Sequence, residues 1–230
     1  MSDLSVYLAS LIGSWEALAS PHGDARVIRG RGFVAALFDS QPVFDNALLL
    51  EADKYHELRS CYPDGRWYAT WTLADDAADR PRAAGQRLDA TTTAMVLQLD
   101  GLVEDATRGP LVRRVPPSLV AELNGLPADV LADVPGARAY ATEDEAAGLV
   151  LIEVGTDVNA SFVAARPEAR RRGLATAALR EAVLQARSDG FTTSSLQSTS
   201  AGLGVYSRLG YRPVGTWQEW VPAAEAGRSA

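Results

Sequence analysis

Val163-Ala164-Ala165-Arg166-Pro167-Glu168-Ala169-Arg170-Arg171-Arg172-Gly173-Leu174-Ala175 carries the chain from an apolar strand, through a proline and an arginine-rich turn, into a helix. These residue types in this order build an anion cradle. Gly173 and Ala175 hold side chains back, so a ligand can approach the backbone closely. The N–H groups of a first helical turn lack intrahelical acceptors, and the helix dipole favours negative charge there. Arg170, Arg171 and Arg172 add permanent positive charge.

The residues that follow continue the unit. Ala175, Ala178, Leu179, Ala182, Val183 and Ala186 recur at three- and four-residue spacing, which predicts a helix with one apolar face. Ser188-Asp189-Gly190 ends it, and Phe191 to Leu196 reads as a short strand. Further on, Leu196-Gln197-Ser198-Thr199-Ser200-Ala201-Gly202-Leu203-Gly204-Val205-Tyr206 reads as a strand end and another helix, which closes at Gly210-Tyr211.

In these residues the chain resembles the GNAT superfamily of N-acetyltransferases. The acyl-CoA signature of that family, (Arg/Gln)-x-x-Gly-x-(Gly/Ala), is matched by Arg170, Gly173 and Ala175, with Pro167 three residues before the arginine. The family's tyrosine is matched by Tyr206, and its Tyr-x-x-x-Gly-Phe close by Tyr206 to Tyr211, with tyrosine in place of phenylalanine. The resemblance covers roughly residues 137 to 221. Taken alone, the arginines would read as a solvated basic turn and Tyr206 as a core tyrosine with a satisfied hydroxyl. The three motifs in order outweigh those readings.

At 230 residues the chain is long enough for one large or two small domains. Cys61 is alone, so the sequence holds no internal disulfide and no thiolate metal cluster. No apolar run reaches the length of a membrane span, and the N-terminus lacks the pattern of a signal peptide, so a cytoplasmic location is expected. The net charge of −7 is uneven: residues 1–108 carry 10 basic and 16 acidic side chains, residues 109–230 carry 12 and 13. An acidic chain is a poor general binder of nucleic acid and attracts cations such as amines, although the same charge also serves solubility.

The fold class expected is α/β with a mixed sheet: a GNAT fold in residues 109–230, preceded by a smaller α/β domain in residues 1–108. That first half reads either as a degenerate GNAT-like copy, lacking the acyl-CoA signature, or as an unrelated cap that shapes the acceptor pocket. Asp105 to Pro110 is the linker candidate. Residues 4–19 predict a helix with Leu4, Leu8, Leu11, Ile12, Trp15 and Leu18 on one side. Residues 26–38 predict a strand or hairpin, with Arg29-Gly30-Arg31-Gly32 read as a bulge. Helices are expected near 51–60 and 117–124, and strands at 66–73, 91–99, 137–142, 148–154 and 158–165.

The resemblance implies acyl transfer from acetyl-CoA, or another acyl-CoA, to a small-molecule amine by direct attack. It places the pyrophosphate on backbone N–H groups of Arg171, Arg172, Gly173, Leu174, Ala175 and Thr176, beside Arg170. The pantetheine amides would pair with the strand edge at Val163, Ala164 and Ala165. Thr199 and Tyr206 complete the cofactor set. The thioester carbonyl would accept from a strand N–H, and Tyr206 would donate a proton to the leaving thiolate. The position where histone-type relatives place a catalytic Glu is Asn159, which cannot accept a proton. Asn159 would then orient the amine or a water, with Glu153 and Asp157 the nearest alternative bases. Glu153 also reads as a solvent-facing strand-end charge.

His22 and His56 are the only histidines and both lie in the first half, so residues 109–230 hold neither a Ser–His–Asp triad nor a His-rich metal site. The glycine-rich turn lacks the Gly-Lys-Ser/Thr of a nucleotide P-loop. Two other readings stay open: a different acyl-CoA reaction on the same fold, such as another acyl transfer or a decarboxylation, and an acyl-CoA-binding module without turnover. The chain is expected to be a monomer or homodimer without nucleic acid or membrane partners. Trp217 and Trp220 read as core residues, with an acceptor pocket or a dimer surface as the alternatives.

Overall fold

The computed structural model describes residues 2–73, 77–102 and 109–223. Its helices and strands in chain order are α1 (Asp3–Ala19), β1 (Ala25–Gly30), β2 (Phe33–Phe38), β3 (Asn46–Leu49), α2 (Tyr55–Arg59), β4 (Ala69–Leu73), α3 (Asp79–Ala83), β5 (Gln86–Gln98), β6 (Val112–Val115), α4 (Pro117–Leu123), β7 (Ala137–Thr142), β8 (Ala147–Val154), β9 (Asp157–Ala165), α5 (Leu174–Ser188), β10 (Thr193–Thr199), α6 (Ser200–Arg208) and β11 (Arg212–Pro222). Residues 105–108 of the linker candidate lie outside the described residues.

The chain divides into two compact units that interleave along the sequence: residues 1–21 with 94–214, and residues 22–93 with 215–230. The sequence reading cuts instead between 108 and 109. The difference comes from α1, which packs on β8, β9 and β10 and so belongs with residues far along the chain.

In the first unit, β7, β8 and β9 form an antiparallel meander, α5 crosses over to the parallel strand β10, and the strand order is β6-β7-β8-β9-β10-β5. Leu174, Ala178, Leu179, Ala182, Val183 and Ala186 are buried on α5, while Ala175 is half-buried. From Ala178 onward this stripe packs with Leu149, Leu151, Val158, Ala160, Leu196, Met95 and Leu97 in the main core. Full burial of a leucine such as Leu179 is worth about 1.5–3 kcal/mol.

The packing of α1 differs from its apolar pattern. Tyr7, Ser10, Ile12, Ser14, Leu18 and Ala19 are buried, whereas Leu4, Leu8, Leu11 and Trp15 are only half-buried. Close approach explains the choice. A Cβ added at Gly13 would meet Val154 Cγ1 at 2.4 Å, so any larger residue there would have to displace Val154 or the helix. Two hydroxyl residues of the helix face polar groups of the strands: Asn159 Nδ2 donates to Ser10 Oγ at 3.0 Å, and Tyr7 Oη donates to Gln197 Oε1 at 3.1 Å.

The second unit has the same strand logic. β1, β2 and β3 form an antiparallel meander, α2 lies in the crossover to the parallel strand β4, and β11 pairs antiparallel with β4, giving the order β1-β2-β3-β4-β11. Arg31-Gly32 is the two-residue turn of the β1–β2 hairpin, with Gly30 opposite Phe33, rather than a strand bulge. Trp217 and Trp220 are both buried, and Trp220 Nε1 donates to Thr72 Oγ1 at 3.1 Å.

Candidate active site

The cradle is built where β9 ends. After Ala165 the chain makes a short 3-10 turn at Pro167–Ala169, and α5 opens at Leu174. Arg171 and Gly173 both take left-handed backbone conformations, with φ of 62° and 77°. Alternation of this kind turns successive N–H groups toward one concavity. Gly173 caps α5 without a side-chain hydrogen bond, and a Cβ there would meet nothing within 4 Å. The first helical bond is Ala177 N–H to Gly173 O at 2.9 Å, so the N–H groups of Leu174, Ala175 and Thr176 have no intrahelical acceptor.

Arg170, Arg171 and Arg172 are all exposed, and Arg170 Nε reaches Ala165 O at 3.4 Å. Asp144 lies close by. A hydrogen bond from Thr142 and one from the Ala146 N–H hold its carboxyl below the usual range, with the Arg172 charge adding to the effect. Beneath the turn, Ala146, Ala147, Ala169 and Leu174 form a small apolar floor.

The strand leading to the cradle is open on one side. β9 pairs with β10 over three residues only, Asp157–Asn159 against Thr193–Ser195. Beyond Asn159 that edge of β9 has no neighbouring strand among the described residues. On the other edge β9 stays paired with β8, through a register shift between Gly148 and Val150. The extra residues on β9 are Phe162 and Val163 opposite Leu149, a β-bulge. Phe162 there has φ of 55°, an outlier for a bulky side chain. Its carbonyl accepts from Asn124 Nδ2 at 2.9 Å.

Tyr206 lies on α6, which packs on β10. Its ring meets Tyr211 edge-on at 6.1 Å, and burial pushes its hydroxyl pKa up, so it stays a neutral donor. Thr199 is exposed at the start of α6. Val163, Ala164 and Ala165 are half-buried on the open strand.

The two candidate acid–base partners sit elsewhere on β9 and β8. Asn159 is 4% exposed; its Nδ2 donates to Ser10 Oγ and its Oδ1 accepts from Ser161 Oγ at 2.6 Å. Glu153 is ion-paired with Arg138, which also binds Asp189. Glu153 stands opposite Val158, so it lies about 23 Å of strand rise from Ala165. The fold thus brings Tyr206, Thr199 and the cradle to the C-terminal ends of β9 and β10 and leaves Glu153 at the other end. Asp157, at that same end, is buried; its Oδ1 accepts from Ser195 Oγ at 3.0 Å. Burial pushes its pKa up, against the hydroxyls of Ser10, Thr193 and Ser195.

Phe162 and Asn124, which shape the open strand, are missed by motif reading. Phenylalanine carries no signal for positive φ. Asn124-Gly125 after a helix signals a C-cap, which Asn124 is, but not the second bond it makes.

No helix among the described residues is long and apolar enough to cross a membrane. No curated protein sequence matches the chain significantly. Solved structures do share its fold. A GCN5-related N-acetyltransferase from Kribbella flavida is 16% identical, with a TM-score of 0.72 over 94% of this chain and 95% of that one. A protein assigned to the GNAT acetyltransferases from Novosphingobium aromaticivorans is 18% identical, with a TM-score of 0.59 over 90% and 95%. A GCN5-related N-acetyltransferase-like protein from Streptococcus suis is 15% identical, with a TM-score of 0.60 over 93% and 96%. Residues 117–211, which contain the cradle, the open strand and Tyr206, match the acetyltransferase (GNAT) family.

Proposed function

We propose that the chain is an acyl-CoA-dependent N-acyltransferase that moves an acetyl group from acetyl-CoA to a primary amine of a small molecule. The observation that carries the proposal is the three-residue pairing of β9 with β10, which opens onto the turn holding Arg171 and Gly173. An open strand edge, three exposed guanidiniums and a bare helix N-terminus fit a long amide-bearing ligand with a pyrophosphate end. Acetyl-CoA, when bound, supplies an activated thioester carbon and a thiolate leaving group.

The chain's own residues then have distinct tasks. Arg170, Arg171, Arg172 and the N–H groups through Thr176 bind the anionic end. Val163, Ala164 and Ala165 orient the amide arm. A backbone N–H on the open edge of β9 polarises the acyl carbonyl. Tyr206 donates its proton to the departing sulfur. Neither Asn159, engaged at both ends of its amide, nor Glu153, paired with Arg138, is assigned as base. The amine is taken as entering neutral, or as losing its proton to water.

Residues 22–93 would be a GNAT-like copy without acyl-CoA binding. Their strand order repeats that of the first unit, but the turn after β3 carries Glu51 and Asp53 where the cradle carries arginines.

Calorimetric titration with acetyl-CoA, and then with longer acyl-CoAs, tests the reading, with Gly173→Glu as control. Micromolar binding lost in the control supports it and opens a screen of amines. Failure to bind any CoA thioester overturns it. Binding without transfer to any amine would replace it with a binding module.

A further inference from the structure

A second pocket, of about 790 Å³, lies within the other unit, between α2, the turn before β4, the start of β5 and the end of β11. That volume falls in the range of small-molecule sites, about 300–1,000 Å³. None of its lining residues belongs to the cleft described above.

Its chemistry is specific. Arg59, Arg66 and Arg87 line it together with one carboxylate, Asp89, which is ion-paired with Arg87, and Arg66 also approaches Asp39 at 3.7 Å. Arg66 is fixed in place: Nε donates to Asp45 Oδ2 at 2.5 Å and Nη2 to Phe38 O at 2.7 Å. Asp45 is fully buried and accepts the Phe38 N–H at 2.6 Å as well, so the guanidinium is held by a rigid anchor. Arg59 is clamped by Tyr62 O at 2.9 Å and Asp64 Oδ1 at 3.1 Å. Pre-set guanidiniums bind anions with less ordering loss than free ones.

Two further features point to a ring-bearing ligand. Trp67 lines the pocket and is 44% exposed, an unusual state for an indole, beside Tyr55 and Tyr68. Tyr68 is itself held by a parallel stack on Tyr62, with centroids 3.9 Å apart. Gln86, also in the lining, is 7% exposed, yet its Oε1 has no hydrogen-bond partner. A buried amide oxygen without a partner costs about 1–3 kcal/mol, which a donor on a ligand would recover.

We infer that this pocket binds a planar aromatic or heteroaromatic anion. The ring lies against Trp67, the anionic group meets the arginines, and a ring N–H or amino group donates to Gln86 Oε1. A carboxylate and a phosphate satisfy the arginines alike, so the test carries both.

The full chain is titrated calorimetrically with indole-3-acetate and with AMP, each beside its uncharged counterpart, indole-3-acetamide or adenosine. At least one anion is expected to bind, with its neutral counterpart at least tenfold weaker; the tighter of the two anions identifies carboxylate or phosphate as the preferred group. Trp67→Ala and Arg87→Gln, both at exposed side chains, should each weaken that binding at least tenfold, while Gly173→Glu leaves it unchanged. Absence of binding by both anions at millimolar concentration overturns the inference. So does equal binding of the neutral compounds, indifference to both pocket substitutions, or loss of binding in Gly173→Glu.

Discussion

Asn124 Nδ2 donates to the carbonyl of Phe162 at 2.9 Å, and the same nitrogen donates to Val120 O, also at 2.9 Å. One side chain therefore ties the end of α4 to the bulge of β9. A phenylalanine at φ of 55° stores strain that its surroundings must hold, of order 1–3 kcal/mol. Asn124→Ala removes the brace. Stability should fall by about 1–3 kcal/mol, and the acetyl-CoA dissociation constant should rise as the bulge relaxes. Denaturant unfolding and calorimetry on the same variant read both effects. An unchanged dissociation constant would show that the bulge holds its shape without Asn124.

The cradle makes a graded prediction at Gly173. With φ of 77° and open space where a Cβ would stand, Gly173→Ala meets no clash but carries the left-handed penalty, roughly 1–2 kcal/mol. Gly173→Glu adds a negative charge where the anionic end should sit. Acetyl-CoA affinity is expected to drop modestly in the first and to vanish in the second. Equal affinity in both variants would remove the turn from the binding site.

Tyr206→Phe keeps the ring against Tyr211 and deletes only the hydroxyl. If that hydroxyl protonates the leaving sulfur, kcat falls by about 10²-fold or more while the acetyl-CoA dissociation constant holds. Unaltered kcat would assign the tyrosine to packing alone.

Asp157 predicts a pH dependence of stability. Its folded pKa is raised, chiefly by burial. Between the unfolded value, about 3.9, and the higher folded value, the folded chain binds more protons than the unfolded chain. Stability contributed by this group is therefore full below the unfolded pKa and is lost as pH rises through the folded one. Asp157→Asn should flatten this slope, whatever its effect on absolute stability. Unfolding free energies of both proteins across pH 4 to 8 measure it; parallel curves would exclude Asp157 as the source.

The parts of the fold written in local sequence were legible. The cradle, α5 and its buried stripe follow from residues within a few positions of one another. Burial on α1 does not, because Leu4, Leu8 and Leu11 mark one side by hydropathy while Ser10, Gly13 and Ser14 win by fitting closely against β8 and β9. β3 and β6 are four-residue strands whose partners lie elsewhere in the chain, and neither has a period long enough to read. At the candidate site, Tyr206 is singled out by its place in a motif. The Asn124–Phe162 bond joins residues 38 apart and rests on a backbone conformation that phenylalanine does not advertise.

The interleaving of the two units bears on how the protein is made. Helix α1 is synthesised well before the strands it packs on, β8 to β10, which begin only after residue 146. The unit begun at residue 22 lacks its strand β11 until residues 212–222 have been added. Neither unit can close as its first segment is synthesised: the first waits for residues up to 214 and the second for strand β11. A cut anywhere between residues 22 and 214 divides both units, so fragments separated there would each hold incomplete sheets and would have to find each other before either unit could fold.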